Sequence, residues 1–173
     1  MKICYINPTN NIRRPIAELA GILSEEGHSI TIIYPESRNC PTKNWVANEA
    51  VKNQKINLVP IKSYYFSPLR YNFPNSLQLF KETRKAFRDC DKVHVWEYYY
   101  PLSVVSLLHA SFNKSRKEKT ILTTDGFVGY SYKPRGLTWL FKAYTLLFAR
   151  FLFKVPKTIT TSGKVRFPYA KKA

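Results

Sequence analysis

Acidic side chains are scarce in this chain: 11 Asp and Glu face 28 Lys and Arg, a net charge of +17 over 173 residues. The deficit deepens toward the C-terminus, where only Glu118 and Asp125 interrupt the basic residues that recur from Lys114 onward. Such a surface attracts phosphate, and charge alone does not choose between nucleic acid, lipid headgroups and a phosphorylated substrate. Cysteine is sparse as well. Cys4, Cys40 and Cys90 form no CxxC pair, which predicts buried thiols. Their odd number, with no leader pattern at the N-terminus, predicts a reducing, cytoplasmic compartment. The three histidines, at 28, 94 and 109, are too scattered to predict a metal site. No GxGxxG follows the first apolar segment and no GxxxxGK[ST] occurs, so the dinucleotide fingerprint and the P-loop are both excluded. Spacing supports no Ser-His-Asp or Cys-His arrangement, and there is no repeat or low-complexity tract.

Hydrophobic content is 45%, ordinary for a folded domain, and the length suits a single domain spanning residues 1–173. The first 35 residues are the most informative. Ile3–Ile6 reads as an apolar strand, Asn7–Arg14 as a polar loop, and Ile30–Tyr34 as a second strand. Between them Ile16, Leu19, Ala20 and Leu23 recur at i, i+3, i+4 and i+7, one stripe of a helix. Pro15 suits its first turn and Gly27 the left-handed residue that ends it. A helix joining two strands in this way is a βαβ unit and commits the sheet to being parallel.

Further strands are expected at Lys55–Ile61, Lys92–Trp96, Thr120–Thr124 and Thr158–Thr161. Helices are expected from Ser76, as cap, to about Asp89, from Leu102 to Phe112, and from Leu137 to Lys154. In the first, Leu77, Phe80, Thr83 and Phe87 would face inward, and Lys81, Arg84, Lys85 and Arg88 form a second stripe, either a solvated face or an anion-binding one. Lys62–Asn75, rich in Tyr, Phe and Pro, reads as a long loop, and Asn113–Lys119 as a charged loop. The alternation predicts an α/β architecture, a Rossmann-like doubly wound and mostly parallel sheet. The segment Leu137–Lys154 is about 27 Å long at 1.5 Å per residue and apolar almost all round, but Lys142 and Arg150 interrupt it. Three readings stay open for it: a core helix, a helix with one aromatic-basic edge on a membrane, and a membrane span.

Parallel sheets bind ligands beyond the carboxyl ends of their strands. The loops Asn7–Arg14, Glu97–Pro101 and Asp125–Arg135 leave such ends, and they gather two carboxylates, Glu97 and Asp125, with the guanidinium groups of Arg13 and Arg14. An anion could bind at the start of the first helix with help from the arginines. The plainer alternatives are that Arg13 and Arg14 solvate a helix start and that Glu97 is a surface carboxylate. Asp125 stands out because Gly126 beside it permits close approach of a ligand. Tyr98, Tyr99, Tyr100 and Tyr130 suit packing on sugars or bases, and equally on one another.

The segments MKICYINPT…IRRPIAELAGILSEEGHSITIIYP, DKVHVWEYYYPLSVVSLL, KTILTTDGF and FARFLFKVPKTITTS, in that order, resemble glycosyltransferases of the GT-B fold. The likeness is to the large retaining family that includes phosphatidylinositol mannosyltransferases and sucrose and glycogen synthases. It implies one half of a GT-B fold, the acceptor-side domain, with the donor-binding domain lying outside these residues, through truncation, a split gene or loss. It implies a hexosyltransferase inactive as this isolated half, with no cofactor and a nucleotide-sugar donor bound mainly by the other domain. Thr124-Asp125-Gly126 matches the family's Thr-His-Gly, with Asp125 in place of the histidine that approaches the transferred sugar. Where the family has a second His, Trp96 follows His94 and offers a stacking surface.

The strand-end reading and the resemblance together give Asp125 and Glu97 as the expected catalytic residues, and Asn10, Arg13, Arg14, Trp96, Thr124, Gly126 and Tyr130 as substrate-binding. The expected partners are a sugar or lipid-linked acceptor, an anionic membrane surface and a separate donor-binding subunit, rather than nucleic acid. The expected location is cytoplasmic and peripheral on the membrane. The alternative is a non-catalytic α/β binding module that engages a protein or nucleic acid through its basic face.

Overall fold

A computed structural model describes residues 1–41, 56–125 and 138–161. Its sheet has seven strands: β1 (Lys2–Ile6), β2 (Ser29–Glu36), β3 (Ile56–Phe66), β4 (Tyr71–Pro74), β5 (Lys92–Trp96), β6 (Thr120–Thr124) and β7 (Thr158–Thr161). They run in the order β4-β3-β2-β1-β5-β6-β7. All neighbours are parallel except β3 and β4. The order reverses at β1, whose neighbours β2 and β5 lead the chain away in opposite directions, so the sheet's switch point lies between β1 and β5.

Alternation along the strands sends side chains to two cores. Cys4, Ile6, Val93, Val95 and Leu122 pack on one face against Leu79, Phe87, Leu102, Leu107 and Leu152. Those partners come from α2 (Ser76–Asp89), α3 (Pro101–Ser111) and α6 (Arg150–Leu152). Tyr5, Ile30, Ile32 and Trp96 pack on the other face against Ile12, Ile16, Ala17 and Ala20 of α1 (Arg14–Glu25) and the loop before it. The doubly wound α/β reading therefore holds. The Cys4 and Cys90 thiols meet in the first core, and this contact together with burial pushes the Cys4 thiol up.

The local signals explain most elements. At Gly27, φ is +84°, and the amides of Gly27 and His28 donate back to Ser24 and Leu23. That is a Schellman ending, for which a residue without Cβ is best suited. The buried stripe of α1 is Ile16, Ala17, Ala20 and Gly21, not the expected one through Leu19, which is exposed. The small residues let the helix lie close to the sheet.

Four further expectations are corrected. Lys62–Asn75 is not a loop: β3 runs on to Phe66 and turns through Arg70 into antiparallel β4. The alternation of Ile61, Ser63 and Tyr65 inward with Lys62, Tyr64 and Phe66 outward drives it. The cap of α2 is Asn75, whose side chain accepts from the Gln78 amide, and not Ser76. That helix buries Leu79, Thr83, Ala86 and Phe87, leaving Leu77 and Phe80 exposed. Lys114–Lys119 is a short helix, α4, capped by Asn113, and the Lys119 ammonium donates to the carbonyls of Phe87 and Cys90 at the end of α2.

The long C-terminal helix is present but not uniform. Residues Thr138–Tyr144 form α5, Thr145–Ala149 a π turn, and Arg150–Leu152 α6. No helix among the described residues is long and apolar enough to cross a membrane.

Candidate functional site

Three chain segments leave the carboxyl ends of β1, β5 and β6 and meet at the switch point. After β1, Asn7 organises the turn. It is fully buried; its amide donates to the carbonyls of Thr9 and Asn11, and its side-chain oxygen accepts from the Arg13 amide at 3.0 Å. Arg13 is the residue that precedes α1, and it makes no side-chain bond to the helix end. Its guanidinium is thereby left to reach across to β5 and β6.

There Arg13 Nη1 lies 3.0 Å from Glu97 Oε1 and 3.0 Å from Asp125 Oδ2. The guanidinium also sits 5.7 Å from the centre of the Tyr100 ring. Glu97 is held from several sides. Its amide donates to Thr123 O at 2.7 Å, Oε2 accepts from the Thr124 hydroxyl at 2.9 Å, and Oε1 accepts from the Asp125 amide at 3.3 Å. Its φ is +64°, a left-handed conformation that a glutamate adopts only where the surroundings impose it. Asp125 differs in exposure: half of its side chain is open to solvent, while that of Glu97 is fully buried. Helices α1 and α3 both begin beside the cluster, and their N-termini favour its negative charge.

The electrostatics follow from this burial. Burial pushes the Glu97 carboxyl above its ordinary value, against the pull of Arg13 and of the Thr124 hydroxyl. Burial is the strongest single influence on Arg13 and works against its charge, but Glu97, Tyr100, Tyr99 and Asp125 together outweigh it, and the guanidinium is held charged. Around the cluster lies an aromatic wall, with the Tyr71 ring tilted against Tyr100 at 5.1 Å and the Tyr99 ring tilted against it at 4.8 Å. Burial, and then the Glu97 charge for Tyr99 and the neighbouring Tyr100 for Tyr71, push both phenols up, so both stay neutral. Among the described residues no group of His, Cys, Asp and Glu is placed to hold a metal ion.

The structure thus brings together Arg13, Glu97, Thr124 and Asp125 and separates the other expected residues. Asn10 is buried and uses its side-chain oxygen to accept from the Ser37 amide at 2.8 Å, tying the loop after β1 to the end of β2. Arg14 points to solvent and pairs with Glu18 at 2.7 Å, one turn along α1. Trp96 is buried in the core beneath α1, stacked on His94, and its Nε1 has no acceptor among the described residues. Gly126 and Tyr130 lie outside the described residues. Tyr100, one of the tyrosines expected to pack on sugars or on one another, does lie at the cluster, while Asn7 and Tyr71 complete the surroundings without having been singled out as site residues. An Asn directly after an apolar strand is a turn-forming signal that could have identified Asn7. Tyr71 comes to the site only through the β3–β4 hairpin.

No family profile matches the chain, and no curated protein matches it. Among solved structures it is similar to MurG of Acinetobacter baumannii, with a TM-score of 0.53 at 16% identity. The match covers 96% of this chain and 42% of that one, so the chain spans under half of the protein it matches. At this identity the likeness shows the fold alone: a Rossmann-like α/β sheet that matches one half of the GT-B fold of MurG. The narrower resemblance to the retaining family of phosphatidylinositol mannosyltransferases is not established by it.

Proposed function

We propose that this chain is the acceptor-binding half of a retaining, metal-independent glycosyltransferase, which moves a hexose from a nucleotide sugar to a lipid-linked or phosphorylated acceptor. A second domain or a separate subunit supplies the nucleotide-sugar site. The observation that carries this reading is the convergence of Arg13, Glu97 and Asp125 at the switch point of a GT-B-like half, with Asp125 half-exposed toward the strand ends.

In this reading each residue has a separate task. Glu97 is too buried to touch a substrate; it anchors Arg13 and receives the Thr124 hydroxyl and the Asp125 amide, which fixes the start of the loop after β6. Arg13 is engaged by two carboxylates, so its task is to aim Asp125 rather than to grip a phosphate on its own. The Asp125 carboxylate accepts hydrogen bonds from sugar hydroxyls and stabilises positive charge that develops at the transferred sugar carbon. Tyr100 and Tyr71 offer faces on which a sugar ring stacks.

The test is acceptor binding by the isolated 173-residue protein, read by saturation-transfer NMR with a polyprenyl-phosphate sugar in detergent. We expect binding by the wild type, its loss in Asp125→Asn, and its retention in Arg14→Ala. The same protein should show no hexose transfer from UDP- or GDP-sugars, because their site lies elsewhere. Robust turnover by this chain alone would overturn the half-site reading. Tight binding of RNA at physiological salt, with no acceptor binding, would favour the non-catalytic module.

A further inference from the structure

The segment from Trp139 to Phe151 has a second face, turned away from the sheet. Thr145, Ala149 and Leu152 face inward, and the outer side exposes Trp139 (70%), Leu140, Leu146, Leu147 (73%), Phe148 (56%) and Phe151. A soluble surface rarely concentrates so many large apolar side chains. Exposed Lys142, Arg150 and Lys154 lie among them, and no Asp or Glu occurs anywhere after Asp125.

We propose that this face docks on an anionic lipid bilayer, with the helix lying in the plane of the interface. Three arguments select a bilayer over other occupants. Apolar residues mixed with lysine and arginine match the boundary between acyl chains and anionic headgroups. A second copy of the chain would set Lys142, Arg150 and Lys154 against the same cations, with no carboxylate in the segment to pair them. Nucleic acid would be served by the cations but would leave Leu146 and Leu147 without a partner. Among the described residues no helix is long and apolar enough to cross a bilayer, and this one suits lying flat.

The docked face also connects to the site. Phe148 stacks 5.6 Å from Tyr144, and Tyr144 lies 6.2 Å from Tyr98, which follows Glu97 in the chain. On the other side Phe141 meets Tyr71 at 6.3 Å, and Tyr71 meets Tyr100 under Arg13. An unbroken run of rings therefore leads from the interface to the Arg13–Glu97–Asp125 cluster. That this run serves a lipid-linked acceptor rests on the function proposed above; the docking itself rests on the helix alone.

Flotation of the full 173-residue protein with vesicles tests it, using equal parts phosphatidylcholine and phosphatidylglycerol against phosphatidylcholine alone at physiological salt. Wild-type protein is expected to float with the anionic vesicles and at least tenfold less with the neutral ones. The double variant Trp139→Glu, Leu147→Glu should lose about tenfold or more of the vesicle-bound fraction, and Lys142→Glu, Arg150→Glu should lose the preference for anionic lipid. Asp125→Asn should float like the wild type, and failure of the wild type itself to bind acceptor, with flotation intact, would sink the acceptor reading and spare this one. All four positions in the double variants are exposed, and thermal melts followed by circular dichroism confirm that the variants fold. The proposal is overturned if wild-type protein does not float, if both vesicle types bind equally, or if Trp139→Glu, Leu147→Glu floats unchanged. Light scattering that shows a dimer dissociating in that same variant would assign the face to a second copy instead.

Discussion

The cluster at the strand tips and the outer face of residues 139–151 reverse the usual arrangement of a globular protein. At the strand tips, charge is inside: a fully buried glutamate, a largely buried arginine and a half-exposed aspartate share one network. On the helix, apolar rings and leucines are outside, with only Thr145, Ala149, Leu152 and their neighbours turned to the core. Both arrangements are costly in a monomer in water, the first through desolvation and the second through apolar exposure. They differ in who compensates. The buried charges are satisfied by one another and by backbone, so their compensation is already in the fold. The helix face has no such compensation among the described residues, which is what the proposed bilayer docking would supply. A polar group found inside therefore reports positioning here, whereas an apolar group found outside reports encounter.

Substitution should separate the two regions sharply. The largest effect belongs to Arg13→Ala, which leaves the Glu97 carboxyl buried without its cation and should cost about 3–5 kcal/mol in urea unfolding. That loss should shrink as pH falls into the carboxylate range, because a protonated Glu97 no longer needs the guanidinium. If Arg13→Ala unfolds like the wild type, the network is not holding the strand ends together.

His94 gives the next effect. It lies beside Tyr5 and Trp96, with Nε2 2.6 Å from the Thr123 hydroxyl, and burial holds its imidazole down to about 4. A depressed native value means that the unfolded chain takes up the proton first as pH falls. Stability should therefore drop by about 3 kcal/mol between pH 6.5 and 4. His94→Gln should flatten that part of the stability profile, measured by denaturant midpoints across the range. Raised values act the opposite way: the Glu97 contribution is present at low pH and declines as pH rises above the ordinary carboxylate value through the native one.

Asp125→Asn should change stability by less than about 1 kcal/mol, since half of the side chain is in solvent, while removing acceptor binding. At the small end, Arg14→Ala and Leu147→Ser should leave the melting temperature unchanged. A clear loss in either would mean that the exposed surface carries structural weight after all.

The sequence made the sheet's parallel core legible because the two periods are written locally. The apolar strands at Ile3–Ile6, Lys92–Trp96 and Thr120–Thr124, and the Gly27 stop, need no distant partner to be recognised. The convergence of Arg13, Glu97 and Asp125 followed from topology, since parallel strands collect their carboxyl ends on one edge. Phase was less legible. In α2 the stripes Leu77–Phe80–Thr83–Phe87 and Leu79–Thr83–Ala86–Phe87 both fit a helical period, and only packing against α3 and the sheet selects the second. The β3–β4 hairpin was hidden because its tyrosines, phenylalanines and prolines read as loop composition, although the two-residue alternation was already there. Trp96 looked available for stacking because it ends a strand near the site, but strand register turns it under α1.

What the sequence determined by itself is therefore the order of elements, the parallel sense of the sheet and which chain segments share its ligand-binding edge. Those depend on periodicity and on connection rules that act over a few residues. Tertiary structure alone decided which carboxylate is buried, that Arg13 turns to the cluster while Arg14 turns to solvent, and that the apolar helix keeps half of its hydrophobic surface outside. These depend on what lies across the sheet, and burial is a property of the assembled neighbours rather than of the residue.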